Sequence, residues 1–169
     1  MHISSIMSKS VTFASADLTV RAMWKLLFAS KVNAIPVIDT KKKLMGIVTK
    51  EDLLKALYPD YEEYFVDLGD IQDYEAMELK VKEMGSKTAR EIMCKRVVYT
   101  RIDTPIMRAL SRMIARRLNQ LPVLDDEDRV VGMVTKGDIF YALFKKNLSG
   151  KPANVEEPVK TKKKKAKKR

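Results

Sequence analysis

The sequence predicts an α+β fold made of two tandem β-α-β-β-α repeats that form one module with pseudo-two-fold symmetry. Three observations predict it. The stretch Gly46 to Asp52 reads GIVTKED and returns at Gly132 to Asp138 as GMVTKGD, an offset of 86 residues. The offset holds outside the motif without a gap: Ile6-Met7 returns as Ile92-Met93, Val11 as Val97, Asp17 as Asp103, Asn33 as Asn119 and Pro36-Val37 as Pro122-Val123. Finally, each copy carries a helix-period apolar stripe followed by two short β-rich runs. Self-similarity at a fixed spacing marks a duplication, and two copies are too few for a solenoid.

Each repeat reads in the same order. A short apolar segment (Ser10 to Phe13, Val97 to Thr100) supplies the first strand. The following helix carries Val20, Met23, Trp24, Leu27 and Phe28 in copy one, and Ile106, Ala109, Leu110, Met113 and Ile114 in copy two. That spacing describes one buried helix face. Thr19 is the expected N-cap of the first such helix, and Pro105 after Thr104 suits the first turn of the second. Two strands come next, Ala34 to Ile38 and Leu44 to Thr49, then Gln120 to Leu124 and Val130 to Thr135. Pro36 and Pro122 cannot donate to a ladder, which places them at a strand start or a sheet edge. Closing helices run over Lys50 to Leu57 and Lys136 to Lys145. The resulting boundaries are 1–58 for the first repeat, 59–86 for an acidic insert, 87–148 for the second repeat and 149–169 for a Lys-rich tail.

Within the insert, Asp73 is placed to cap a helix through Met84, with Met77, Val81 and Met84 on one side and Gly85 as its stop. Tyr61, Tyr64, Phe65 and Val66 give this acidic stretch apolar material, so it is expected to dock on the module or on a second subunit.

Composition excludes several function classes. Lys and Arg number 33 against 22 Asp and Glu, a net charge of +11, and the excess owes most to KTKKKKAKKR in the tail. That tail has no core-forming residue and reads as disordered; solubility is its simplest role, and weak, salt-sensitive contact with nucleic acid the sharper one. No apolar run approaches the roughly 20 residues of a membrane helix. No basic-then-apolar leader opens the chain. Cys94 alone makes no internal disulfide, suits a reducing cytoplasmic setting and is expected to be buried and inert. His2 is the sole histidine, leaving no material for a histidine metal site or a catalytic triad.

The Pro-Val-φ-Asp strands and the Gly-φ-Val-Thr-x-x-Asp entry into each closing helix, within a β-α-β-β-α order, resemble the cystathionine β-synthase (CBS) domain. Two in tandem resemble a Bateman module, a unit that senses adenine nucleotides. The likeness covers about residues 3–58 and 89–146. It implies no obligatory cofactor and a regulatory ligand that is AMP, ADP, ATP or S-adenosylmethionine, together with homodimerisation as flat discs and an effector protein of unknown identity.

The residues fit that expectation. Thr49 at N-cap with Asp52 at N3, repeated as Thr135 and Asp138, is a capping box that explains both residues structurally. The same geometry offers free N–H groups and a positive dipole end to phosphate, and a carboxylate that accepts from ribose hydroxyls. The resemblance assigns the aspartate to ribose and the threonine to phosphate. Val11, Thr12, Ile35 and Pro36 in copy one, with Val97, Val98, Leu121 and Pro122 in copy two, would flank adenine. Arg117 would reach the phosphates, which makes the second cleft the better anion site. The closing helices carry Leu53, Leu54, Leu57, Tyr58, Ile139, Phe140, Leu143 and Phe144 as apolar surface for a dimer. No catalytic constellation, Walker loop or Gly-rich dinucleotide turn occurs. The expected function is a non-catalytic sensor; a nucleic-acid-associated dimerisation module working through the tail, or an assembly module with empty clefts, are the alternatives.

Overall fold

A computed structural model describes residues 1–57 and 74–148 of the chain. Tyr58, Asp73, Tyr61, Tyr64, Phe65, Val66 and the Lys-rich tail, all singled out above, lie outside the described residues. Repeat one contains β1 (Ala14–Ser15), α1 (Val20–Ala29), β2 (Ala34–Ile38), β3 (Leu44–Thr49) and α2 (Lys50–Leu57). Helices α3 (Tyr74–Ser86) and α4 (Ala89–Ile92) follow. Repeat two contains β4 (Thr100–Arg101), α5 (Ile106–Ala115), β5 (Gln120–Leu124), β6 (Val130–Thr135) and α6 (Lys136–Asn147). Each repeat forms a three-stranded sheet in chain order, its first strand parallel and its hairpin antiparallel.

Local chemistry repeats with the sequence. The hairpins turn where Asp39 Oδ1 accepts from the N–H groups of Lys41 and Lys43, and Asp125 Oδ1 from those of Glu127 and Arg129. Their next-to-last turn residues, Lys42 and Asp128, are left-handed at φ 63° and 61°. Lys31 and Arg117, at 53° and 54°, end α1 and α5. There Val32 N–H bonds Leu27 O and Leu118 N–H bonds Leu/Met-stripe carbonyl Met113 O, at 3.2 and 2.8 Å, a Schellman closure of each helix. The four left-handed non-glycine residues among the described residues therefore form two pairs at the sequence offset.

The prolines sit elsewhere than expected. Strands β2 and β5 are the central strands of their sheets, and neither begins at its proline. They tolerate it because the parallel ladders start one residue later, at Ala14↔Val37 and Thr100↔Val123, so no ladder bond is asked of Pro36 or Pro122. The same fact shortens and displaces the first strands. Val11, Thr12, Val97 and Val98 lie in extended lead-in chain rather than in the ladder.

Other expectations are corrected by packing. Val20, Met23 and Leu27 are buried, but Trp24 and Phe28 are half exposed, as is Ile114 in α5. The sheet covers a narrower arc of each helix than the apolar stripe spans. Leu53 and Ile139, in contrast, belong to the core rather than to a free face. Pro105 is the N-cap of α5 and not its first residue, which keeps the position that Thr19 holds in α1. Helix α3 runs through Gly85 to Ser86, where the Ser86 hydroxyl donates to Glu83 O. It packs on α1 and α2, so the described part of the insert docks on the first repeat. Cys94 is exposed, because its backbone is engaged at a sheet edge and its side chain turns outward.

The unexpected feature is an exchange of leading segments. Ser8 of the first lead pairs with Met133 in β6, with both N–H···O bonds at 2.9 Å. Cys94 of the second lead pairs with Ile47 in β3, at 2.9 and 3.1 Å. Ile3 accordingly belongs to the core of repeat two, and Ala89 to that of repeat one. Where the leads cross there is no room for a side chain. A Cβ on Gly132 would stand 2.8 Å from Met7 Sδ and 2.9 Å from Ser8 O, and one on Gly46 would stand 2.5 Å from Met93 Sδ. At the centre, Lys43 pairs with Arg129, its own counterpart, so the pseudo-two-fold axis passes between the hairpins.

Two expected outcomes follow from this packing. Gly132→Ala should destabilise the fold by about 1–3 kcal/mol in urea unfolding, the usual cost of overpacking; a neutral result would mean that the Met7–Ser8 lead is not held against β6. Thr100 is fully buried, and its hydroxyl has no partner among the described residues, whereas Ala14 holds the matching position. Thr100→Val should raise stability by about 1 kcal/mol by removing an unpaired polar group. A loss instead would reveal a partner for that hydroxyl.

Candidate functional site

Strand register gathers the expected site residues at one end of each sheet. Thr49 pairs with Ala34 and Thr135 with Gln120, at the ends of β3 and β6 and the starts of β2 and β5. Two residues before the ladder, Thr12 is level with Ile35 and Val98 with Leu121. Thr49, Asp52, Thr135 and Asp138 are all half buried there.

Both capping boxes form. Asp52 Oδ2 accepts from Thr49 N–H at 2.8 Å and from its hydroxyl at 2.7 Å, while Asp52 N–H donates to Thr49 Oγ1 at 3.0 Å. Asp138 and Thr135 repeat the set at 2.8, 2.8 and 3.1 Å. Each box draws on Oδ2 alone, which leaves Oδ1 as an acceptor for further hydroxyls. The threonine hydroxyl protons, in contrast, are already directed at the aspartates. Each helix start is also tied to the preceding loop: Lys50 N–H donates to Asn33 O, and Lys136 N–H to Asn119 O.

The remaining expected residues divide. Ile35 and Leu121 are fully buried, with Pro36 and Pro122 beside them, so the Ile and Leu side chains belong to the cores and only their backbones face the sheet end. Val11, Thr12, Val97 and Val98 are half buried and keep side-chain surface. Arg117 is exposed, in the left-handed residue that closes α5, two residues from Asn119.

A cavity of about 350 Å³ opens between the repeats, lined by Lys43 and Leu44 from one hairpin and by Lys95, Val97, Tyr99, Leu124 and Asp128 from the other repeat. Sequence reasoning missed Tyr99, Lys43 and Lys95 here; no local pattern reports that two hairpins meet on an axis. Arg101 braces the wall, donating to Asp125 O and, at 2.7 Å, to Asp128 Oδ1. The Asp128 bond raises the Arg101 pKa above its ordinary value. Burial pushes the Asp125 carboxyl up, but bonds from Arg129 and from Glu127 N–H outweigh it and hold the group below the usual carboxylate value. Among the described residues no group of three or more His, Cys, Asp or Glu is placed to hold a metal ion, and no helix is long and apolar enough to cross a membrane.

Two β-α-β-β-α units that exchange leads, share an axial cavity and each present a capped helix at the sheet end define a paired-repeat module. The CBS domain model matches residues 3–59 and 89–145, and the chain belongs to the CBS-domain family. It is 28% identical over 156 residues to the uncharacterized protein MJ1426 of Methanocaldococcus jannaschii, covering 85% of this chain and 92% of that one. It is 27% identical to a homoserine O-acetyltransferase of Methanohalobium evestigatum, covering 82% of this chain but 23% of the enzyme. Among solved structures it is similar to the CBS domain pair of protein MJ0100 in complex with 5′-methylthioadenosine and S-adenosyl-L-methionine. That match has a TM-score of 0.66 at 28% identity and covers 86% of this chain and 98% of the other.

Proposed function

We propose that the chain is a non-catalytic regulatory module that binds an adenosine-containing ligand, AMP, ADP, ATP or S-adenosylmethionine, at the sheet ends between its repeats. The carrying observation is the twin capping box, in which Oδ1 of Asp52 and of Asp138 remains available to the two hydroxyls of a ribose. The likeness to a CBS pair that holds two adenosine derivatives supports the choice of ligand class. Val11 and Thr12, or Val97 and Val98, line the adenine side with half-buried surface, and the backbones of Ile35-Pro36 and Leu121-Pro122 back them. With the N–H groups of Lys50, Asp52, Lys136 and Asp138 already engaged, those of Glu51 and Gly137 are the ones at the helix starts that can face an anion. The threonine hydroxyls can serve a phosphate only by turning away from the aspartates, so phosphate recognition falls chiefly on N–H groups and cations.

Asp138→Ala should weaken an adenosine ligand at the second cleft by about 1–3 kcal/mol, the loss expected for charge-assisted hydrogen bonds. It should also lower the melting temperature, since the box caps α6. Calorimetric titration separates the two effects: a lower melting temperature with unchanged affinity would leave Asp138 a purely structural residue.

The module is also proposed to act as a homodimer that reports to an effector protein. Half-exposed Trp24, Phe28 and Leu54 on the first repeat, and Met107, Ile114, Phe140 and Phe144 on the second, are more apolar surface than scattered exposure accounts for. A two-fold dimer is the commonest way to cover such faces. Light scattering at micromolar concentration should return twice the chain mass of 19.3 kDa; a monomer would refute the assembly.

A further inference from the structure

The second repeat carries a basic cavity where its lead meets α5. Its volume is about 470 Å³, and Arg101, Arg108 and Arg112 line it together with Tyr99, Asp103, Thr104 and the Val97-Val98 pair assigned above to the adenine side. At the sequence offset the first repeat has Ser15, Ala22 and Leu26 where these arginines stand, and the guanidinium beside its matching surface is that of Arg90, paired with Asp17 at 3.4 Å. The cavity adjoins the axial one through the shared wall at Tyr99, which extends the positive lining to Lys43 and Lys95.

The three arginines are not equally committed. Arg101 is held by Asp125 O and Asp128, and lies 5.7 Å over the Tyr99 ring. Arg112 donates to Tyr99 O at 2.6 Å through one nitrogen and keeps the rest of its fork. The Arg108 side chain makes no hydrogen bond or ion pair among the described residues. Arg108 and Arg112 are four apart on α5, so they face the same way, and like charges at that spacing repel one another. Asp103 is the one carboxylate on the wall that could offset them, which leaves a net positive concavity of ligand-binding size. A guanidinium fork matches two oxygens of a phosphate at once, and several forks around one cavity suit a chain of phosphates rather than a single carboxylate.

We propose that this cavity is a polyphosphate site, taking two or more linked phosphate groups against Arg101, Arg108 and Arg112. The linked phosphates belong either to a nucleoside di- or triphosphate seated in the adjoining cleft or to a free inorganic polyphosphate. The nucleotide occupant rests on the adenosine reading, with which the cavity shares Val97 and Val98; the free polyphosphate does not.

The test titrates the full chain with inorganic triphosphate, ATP and AMP in a calorimeter at fixed salt. Arg108→Glu is compared with Lys25→Glu, the same charge change on the exposed side of α1. Arg108→Gln, which removes charge without reversing it, guards against misfolding, and the melting temperatures of all variants are measured. Arg108→Glu should weaken triphosphate by about tenfold or more, and Arg108→Gln by less, as loss of a forked charged contact requires. Lys25→Glu should leave it within about twofold, as a distant screened charge does. Loss of ATP affinity in step, with AMP unaffected, identifies a nucleotide's phosphates as the occupant. Loss for triphosphate alone identifies a free polyphosphate. Triphosphate binding with no binding of ATP or AMP supports this site as one for free polyphosphate and gives the adenosine reading no support. Equal losses in Arg108→Glu and Lys25→Glu, no loss in either, or no triphosphate binding by the unaltered chain would overturn the proposal.

Discussion

The structure depends on the pairing of each leading segment with the edge strand of the other repeat. A three-stranded sheet ends at β3 or β6 with a row of open N–H and C=O groups, and an open edge is a template for unwanted pairing. Ser8 and Cys94 each close such an edge with a reciprocal pair of bonds. The leads also bring core. Ile3 is fully buried in repeat two and Ala89 in repeat one, so neither half completes its interior from its own strands and helices. A unit of this size buries a small share of its surface. The exchange ties two such units into one core system, and it is the reason that a side chain at Gly132 would meet the Ser8 carbonyl and one at Gly46 would have to displace Met93.

Backbone symmetry and side-chain asymmetry then do different things. The left-handed turn residues, the Schellman closures and both capping boxes recur at the same offset, so the two sheet ends have nearly the same frame. What differs hangs on that frame. Thr100 replaces Ala14 in the core, arginines replace Ser15, Ala22 and Leu26, and among the described residues α3 covers α1 and α2 without a counterpart on α5 and α6. Duplication thus supplies two clefts of one geometry, while substitution makes their charge and their surroundings unlike.

How much of this the sequence discloses depends on the range of the interaction. Strands β2, β3, β5 and β6 are readable because alternating or continuous apolar runs end at sharp turns, and Asp39 and Asp125 build those turns locally. The capping boxes are readable because Thr and Asp lie three residues apart. The first strands are misplaced because their extent is set by Pro36 and Pro122, some 20 residues away in sequence. Exposure of Trp24 and Phe28 escapes the periodicity argument, since an apolar stripe does not state how wide the covering sheet is. The exchange of leads is invisible in principle: exchanging equivalent segments between two copies leaves the offset and every local pattern unchanged. Gly46 and Gly132 were the one available signal, as glycines inside strand patterns often mark a close backbone approach. The arginines of the second repeat lie on separate elements, and only the fold brings them to one wall.

The capping boxes constrain how a ligand can act on this frame. Oδ2 of each aspartate is committed to holding a helix start, so a ribose that uses Oδ1 adds bonds without breaking the cap. Binding of that kind stabilises the folded state in proportion to the logarithm of ligand concentration over Kd. It moves the repeats only if the ligand contacts differ between two arrangements. Relative motion is in turn limited by the backbone bonds that join the repeats, among them Ile3 N–H to Thr104 O, Ala89 N–H to Leu18 O, the Ser8–Met133 and Cys94–Ile47 pairs, and Val130 N–H to Lys42 O beside the axis. Sliding one sheet along the other would strain them together. A small rotation about the line of the axial hairpins disturbs them least, and it changes the angle between α1–α2 and α5–α6, the apolar faces that a partner would cover. On the proposed reading, ligand state and assembly are therefore coupled through the hairpin contact at Lys43 and Arg129, where the axial cavity also lies.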